Sequence, residues 1–116
     1  MAYAELQSEP VTVLDPLANA LHLTRLELAN AGGISRDAIS KTSRRNTPAT
    51  VARMHDLAEI LTRAAAWAGS MQQAYAWYRG QPLPSFGDQT AEDLVKQGRA
   101  DAVKTYLSRI AVGGYA

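Results

Sequence analysis

Apolar residues recur at helical spacing in a series of runs along the chain, and no strand-like alternation longer than a few residues interrupts them. Residues 1–13 show no clear period and include Pro10, which predicts a loose arm. From Leu14 the pattern changes. Leu14, Leu17, Ala18 and Leu21 share a helical face, Asp15 is read as the cap, and Pro16 falls in the first turn, where its missing N–H costs nothing. This helix ends near His22 or Leu23. Thr24 caps a second run, "RLELANA", and Glu27, three residues on, completes a capping box. Gly32 and Gly33, the poorest ordinary helix formers, stop it.

A third run, "SRDAISKTS", starts with Ser35 as cap and Asp37 in the first turn, where a carboxylate suits the positive end of the helix dipole. Its only apolar residues are Ala38 and Ile39, so Arg36, Asp37, Ser40 and Lys41 are left pointing outward. "RRNTP" closes this unit, and Thr47 and Pro48 open the next helix. From there to Arg79 runs the strongest periodic signal, Val51, Met54, Leu57, Leu61, Ala64, Ala68, Met71, Tyr75 and Tyr78. It reads as one long stripe, with a joint at Gly69-Ser70, of the kind that forms a core or a dimer seam.

"RGQPLPSFGDQ" is a loop by its Gly and Pro content, and "TAEDLVKQG" is a two-turn helix with Thr90 and Asp93 as its capping box and Gly98 as its stop. A last helix from about Arg99 aligns Val103, Tyr106, Leu107 and Ile110 and ends at Gly113-Gly114. With no internal repeat, the expectation is an all-α chain. It divides into an arm over 1–13, a helix-turn-helix over 14–47, a long connecting and dimerisation helix over 48–79, and a C-terminal module over 80–116.

Composition refines this picture. At 116 residues the core is small, so an oligomer that shares apolar faces, at least a dimer, is expected. The sequence has no cysteine, which excludes disulfides, thiolate metal sites and cysteine nucleophiles. "MAYAELQSEP" does not read as a signal peptide and no apolar stretch approaches membrane-spanning length, so the expected location is the cytoplasm, with no membrane partner. The formal charge is only +1, but it is unevenly spread. Arg36, Lys41, Arg44, Arg45 and Arg53 face the single acid Asp37 in their stretch, whereas residues 1–31 carry four acids and one base. Such a local patch suits an anionic partner met by one face.

A short helix, a glycine turn and a second helix with a polar outer face form a helix-turn-helix pattern. Ala29 is the small residue that lets the helices approach, Gly33 accepts a positive φ in the turn, and Leu28, Ile34 and Ile39 form the small core. Two positions depart from the usual pattern: Gly32 stands in a place normally apolar, and Thr42 where the second helix usually offers a core aliphatic. The candidate DNA-binding residues are Ser35, Arg36, Asp37, Ser40 and Lys41 near the beginning and outer face of the helix that would enter the major groove. Arg44 and Arg45 are placed for the phosphate backbone, giving affinity rather than sequence choice.

Residues 76–115 resemble the toxin-binding module of the Xre/MbcA/ParS family of antitoxins. The resemblance rests on the aromatic helix end Trp77-Tyr78, the loop from Pro82 to Gly87, Thr90 opening a short helix that contains Leu94, then Gly98, and a final helix before a short tail. With the upstream helix-turn-helix it covers roughly residues 14–116. The resemblance implies a type II toxin–antitoxin pair in which a neighbouring RES-domain toxin depletes NAD+. The antitoxin would block the toxin's NAD+ site through its C-terminal module and repress its own operon through the helix-turn-helix. It carries the toxin-binding role to Ala111, Val112, Gly113, Gly114, Tyr115 and Ala116, with Tyr106 and Ile110 in support. It implies no cofactor for the chain itself.

Enzyme chemistry finds little footing. His22 and His55 each lie within an apparent helix, without metal-ligand spacing, and no Gly-Lys-Ser/Thr follows the glycine pair. Asp88, Glu92 and Asp93 suggest a carboxylate pair, but a helix N-terminus accounts for Glu92 and Asp93. The expectation is a non-enzymatic protein without a metal. Two alternatives stay open: a dimeric helix-turn-helix regulator without a toxin, and an adaptor whose helix-turn-helix no longer binds DNA.

Overall fold

A computed structural model describes residues 14–40 and 47–113. All regular structure among them is helical. The elements are α1 (Asp15–Leu21), α2 (Arg25–Ala31), α3 (Arg36–Ser40), α4 (Pro48–Ala68), α5 (Met71–Gly80), a single 3-10 turn (Pro84–Phe86), α6 (Ala91–Lys96) and α7 (Ala100–Gly113). The chain divides into two compact units, Met1–Ala58 and Glu59–Ala116, with the boundary inside α4.

In the first unit Leu14, Leu17, Ala18, Leu28, Ala29, Ala31, Ile34, Ile39, Met54 and Leu57 are buried, which includes the three core residues assigned to the helix-turn-helix. The start of α1 corrects one expectation. Leu14, not Asp15, occupies the N-cap, and no side chain caps the helix there. Asp15 is instead the first helical residue, and its two carboxylate oxygens accept from Nε and Nη2 of Arg25, each at 3.2 Å. A partner ten residues away has taken the side chain that a local reading gave to the cap. Both groups are well exposed, so this fork adds only about 0–1 kcal/mol. Its effect is to tie the opening turn of α1 to that of α2.

Local chemistry ends α1 and α2 by the same device. At α1, Leu23 N–H reaches Ala18 O and His22 N–H reaches Asn19 O, with His22 at φ 58°. At α2, Ile34 N–H reaches Ala29 O and Gly33 N–H reaches Asn30 O, with Gly33 at φ 76°. These are Schellman closures, which satisfy carbonyls that the helix cannot and need one residue in left-handed backbone.

In the second unit the buried apolar set is Ile60, Leu61, Ala64, Ala74, Tyr78, Leu83, Ala91, Leu94, Val95, Ala100, Val103, Leu107 and Ile110. The 48–79 stripe is realised as two helices. Gly69, at φ 106°, breaks the ladder, and the Ser70 hydroxyl accepts from Gln73 N–H at 3.1 Å to start α5. Met54, Leu57, Leu61, Ala64 and Tyr78 of the stripe are buried, whereas Val51, Ala68, Met71 and Tyr75 are half-buried. Ile60 and Ala74, off the stripe, are also enclosed, because α4 and α5 bury a wider arc than a narrow seam requires. Inside the Pro-rich loop, buried Leu83 pairs with Gln89 across an isolated antiparallel bridge, with Leu83 N–H to Gln89 O at 2.9 Å. That pinch holds the 3-10 turn against the unit and delivers the chain to α6.

Candidate functional site

The turn between α2 and α3 is built from short-range bonds and two glycines with different duties. The Thr24 hydroxyl accepts from Glu27 N–H at 3.1 Å while Thr24 N–H donates to Glu27 Oε1 at 2.8 Å, so the capping box is complete. These bonds hold the Glu27 carboxyl below its ordinary range, the Thr24 backbone contributing most and its hydroxyl next. Gly33 supplies the left-handed backbone. Gly32 has ordinary φ of −91° and is needed for closeness: a Cβ there would stand 2.9 Å from Cδ2 of the fully buried Leu57. The position that departs from the usual apolar residue is therefore filled by a neighbour from α4.

Arg53 changes role as well. It belongs to the basic cluster by sequence, but its Nη1 donates to Gly33 O at 3.4 Å, part-buried, and so braces the turn. In α3 the Ser35 hydroxyl accepts from Ala38 N–H at 3.1 Å, as its capping role requires, and Ser35, Arg36 and Asp37 are exposed. Ser40 is the last residue of α3. Lys41, Arg44 and Arg45, together with Thr42, lie outside the described residues.

The second unit carries a charge network where the sequence pattern pointed only to helix capping. Glu92 is 7% exposed, with Arg79 Nε 3.1 Å from Oε1 and Lys96 Nζ 3.1 Å from Oε2. Arg79 also lies over the Tyr75 ring, 5.7 Å from its centroid, and its guanidinium pKa is raised, chiefly by the hydrogen bond to Glu92 and then by that carboxylate's charge. Tyr78, fully enclosed, has its phenol pushed far above the ordinary range, first by burial and then by Glu92. A nearly buried carboxylate flanked by two cations ties α5 to α6. On another side Glu59 meets Arg63 at 2.9 Å and Lys104 at 3.2 Å, while Arg63 reaches Lys104 O and Ser108 Oγ on α7.

A run of aromatic rings completes this unit. Trp67 meets Trp77 edge to face at 5.7 Å, Trp77 stacks on Tyr106 at 6.3 Å, and Tyr106 meets the Phe86 edge at 6.3 Å. The Arg99 guanidinium lies 5.6 Å from the Phe86 centroid. The four rings are each half-buried, and the Trp67 indole N–H is enclosed without an acceptor among the described residues. Of the residues assigned to toxin binding, Tyr106 belongs to this run and Ile110 is buried one turn further on. Ala111, Val112 and Gly113 are in α7, while Gly114, Tyr115 and Ala116 lie outside the described residues.

Residues 63–113 match the family model of the antitoxin Xre/MbcA/ParS C-terminal toxin-binding domain. The matched segment opens inside α4, earlier than the resemblance placed it, and falls wholly within the second compact unit. The match supports an antitoxin role in a toxin–antitoxin system, with a toxin as partner. No curated protein and no solved structure compared with the chain matches it. The matched segment holds the Glu92 network, which was not read as a site from sequence, and the whole aromatic run, of which only Tyr106 was. A signal for the second was present: both tryptophans and the single phenylalanine stand between residues 67 and 86. Among the described residues no cluster of His, Asp and Glu is arranged to hold a metal, and no helix is long and apolar enough to cross a membrane.

Proposed function

We propose that the chain is a cytoplasmic, non-enzymatic antitoxin that neutralises a RES-domain, NAD+-degrading toxin and represses its own operon. The observation that carries this reading is the coincidence of the matched toxin-binding segment with a compact unit that has its own core. In this reading the end of α7 and the residues after it, Ala111 to Ala116, cover the toxin's NAD+ site, and Tyr106 and Ile110 hold that end in place. The braced glycine turn of the first unit supports the DNA-binding half, because it fixes α3 with Ser35, Arg36 and Asp37 exposed. Ser40, Lys41, Arg44 and Arg45 complete the proposed DNA-binding set, and the chain works as a dimer or as a hetero-oligomer with the toxin.

The test is to induce the product of the adjacent reading frame alone, with this chain, and with this chain cut before Ala111, while following NAD+ and growth. The antitoxin reading expects NAD+ to fall with the neighbour alone, to recover with the full chain and to stay low with the soluble cut chain. A harmless neighbour leaves the runner-up, a dimeric helix-turn-helix regulator without a toxin. The DNA half is tested separately on the operon's own upstream DNA. Arg36→Ala should cost about 1–3 kcal/mol of specific binding, and a dead helix-turn-helix would show no change.

A further inference from the structure

Aromatic side chains that complete a core are enclosed, as Tyr78 is. Trp67, Trp77, Tyr106 and Phe86 behave differently: they come from α4, α5, α7 and the 3-10 turn, meet ring to ring, and stay only half-buried after the second unit has folded. The outermost ring carries the exposed Arg99, which pairs with no carboxylate among the described residues. Trp, Tyr and Arg are the side chains that supply most of the energy at protein interfaces, and rings already packed against one another lose little freedom on docking. Every member of the run lies within the toxin-binding segment.

We infer that this aromatic run, with Arg99 at its edge, is the surface on which the toxin subunit docks, and that the toxin meets it with an apolar patch flanked by a carboxylate. The inference rests on the antitoxin reading and adds a division of labour to it. The aromatic run supplies affinity, whereas residues 111–116 supply the blockade. A chain lacking the tail therefore still binds the toxin and fails only to protect NAD+.

The experiment uses the full chain with fluorinated tryptophan. The sequence holds two tryptophans, both in the run, so fluorine NMR reads this surface directly without a substitution. On adding unlabelled toxin, the Trp77 resonance should shift. Phe86→Ala and Arg99→Ala should each weaken toxin binding by roughly tenfold or more with circular dichroism unchanged. Arg99 is exposed, so its variant keeps the test sound even where Phe86→Ala disturbs the loop. The chain cut before Ala111 should keep most of its affinity; loss of binding on that truncation would overturn the division of labour. If toxin binds the full chain while both tryptophan resonances stay in place and both variants retain wild-type affinity, the docking surface lies elsewhere and the antitoxin reading stands. If the toxin does not bind the unaltered chain at all, the antitoxin reading itself fails, and the assignment of this surface to a toxin goes with it.

Discussion

The turn after α2 and the turn after α6 are made the same way and serve different surroundings. Each helix opens with a capping box, Thr24 with Glu27 and Thr90 with Asp93, and each closes on a glycine in left-handed backbone, Gly33 at φ 76° and Gly98 at φ 83°. After α6, Arg99 N–H reaches Leu94 O and Gly98 N–H reaches Val95 O, the same pair of closing bonds as after α2. Gly98 faces open space, and a methyl group added to it would meet nothing within 4 Å, whereas the residue before Gly33 is pressed against Leu57. One stop is a backbone requirement alone. The other adds a packing requirement at Gly32, and Arg53 braces it further.

The largest effect should come from that packing. Leu57→Ala is expected to cost about 2–5 kcal/mol in urea unfolding, the usual range for an enclosed leucine. Gly32→Ala should cost about 1–3 kcal/mol in the wild-type background and clearly less in the Leu57→Ala background, where the space it needs has been vacated. A double-mutant cycle with no coupling would show that Gly32 is not held small by Leu57.

Next come the two left-handed positions, Gly98 and His22. Gly98→Ala should lose about 1–2 kcal/mol from backbone strain alone, since no neighbour obstructs the methyl group, and Gly98→Asn should lose less. His22 provides the reverse test, because it holds the same kind of backbone without being glycine, at φ 58°. His22→Gly should raise stability by about 0.5–1 kcal/mol, measured by thermal unfolding.

The smallest effect is one of pH. The Glu27 carboxyl is held below its ordinary value of 4.5 in the folded chain, so its contribution is present above that value and is lost as the pH falls through the folded-state pKa. Acid unfolding curves of the wild type and Glu27→Gln should therefore converge at low pH and separate above about 4.5, with the wild type the more stable. Curves that stay parallel at every pH would remove the carboxylate's charge from the account of this cap.

Much of the local framework was legible because the bonds that make it span only three to five residues. The Thr24 and Thr90 boxes, the Ser35 cap, the glycine stops and the break at Gly69-Ser70 each announce themselves within a few letters of sequence. The same short range explains the error at Asp15, where a local rule offered a cap and the carboxylate instead meets Arg25 on the next helix. For the candidate sites, residue types and faces were readable, but the engagement of Arg53 with the turn was not, because its partner carbonyl is twenty residues away.

By itself the sequence determined an all-α chain, where most helices start and stop, and a C-terminal segment whose aromatic end, Pro-rich loop and capped short helix resemble a toxin-binding module. Tertiary structure decided which side chains meet across those helices. Gly32 became a contact, Glu92 became the nearly buried centre of an ion network, and rings from positions 67, 77, 86 and 106 were drawn into one run. The physical reason is distance along the chain. Hydrogen-bonded caps are fixed by neighbours within one helical turn, while desolvation and ring packing depend on elements brought together only when the unit closes.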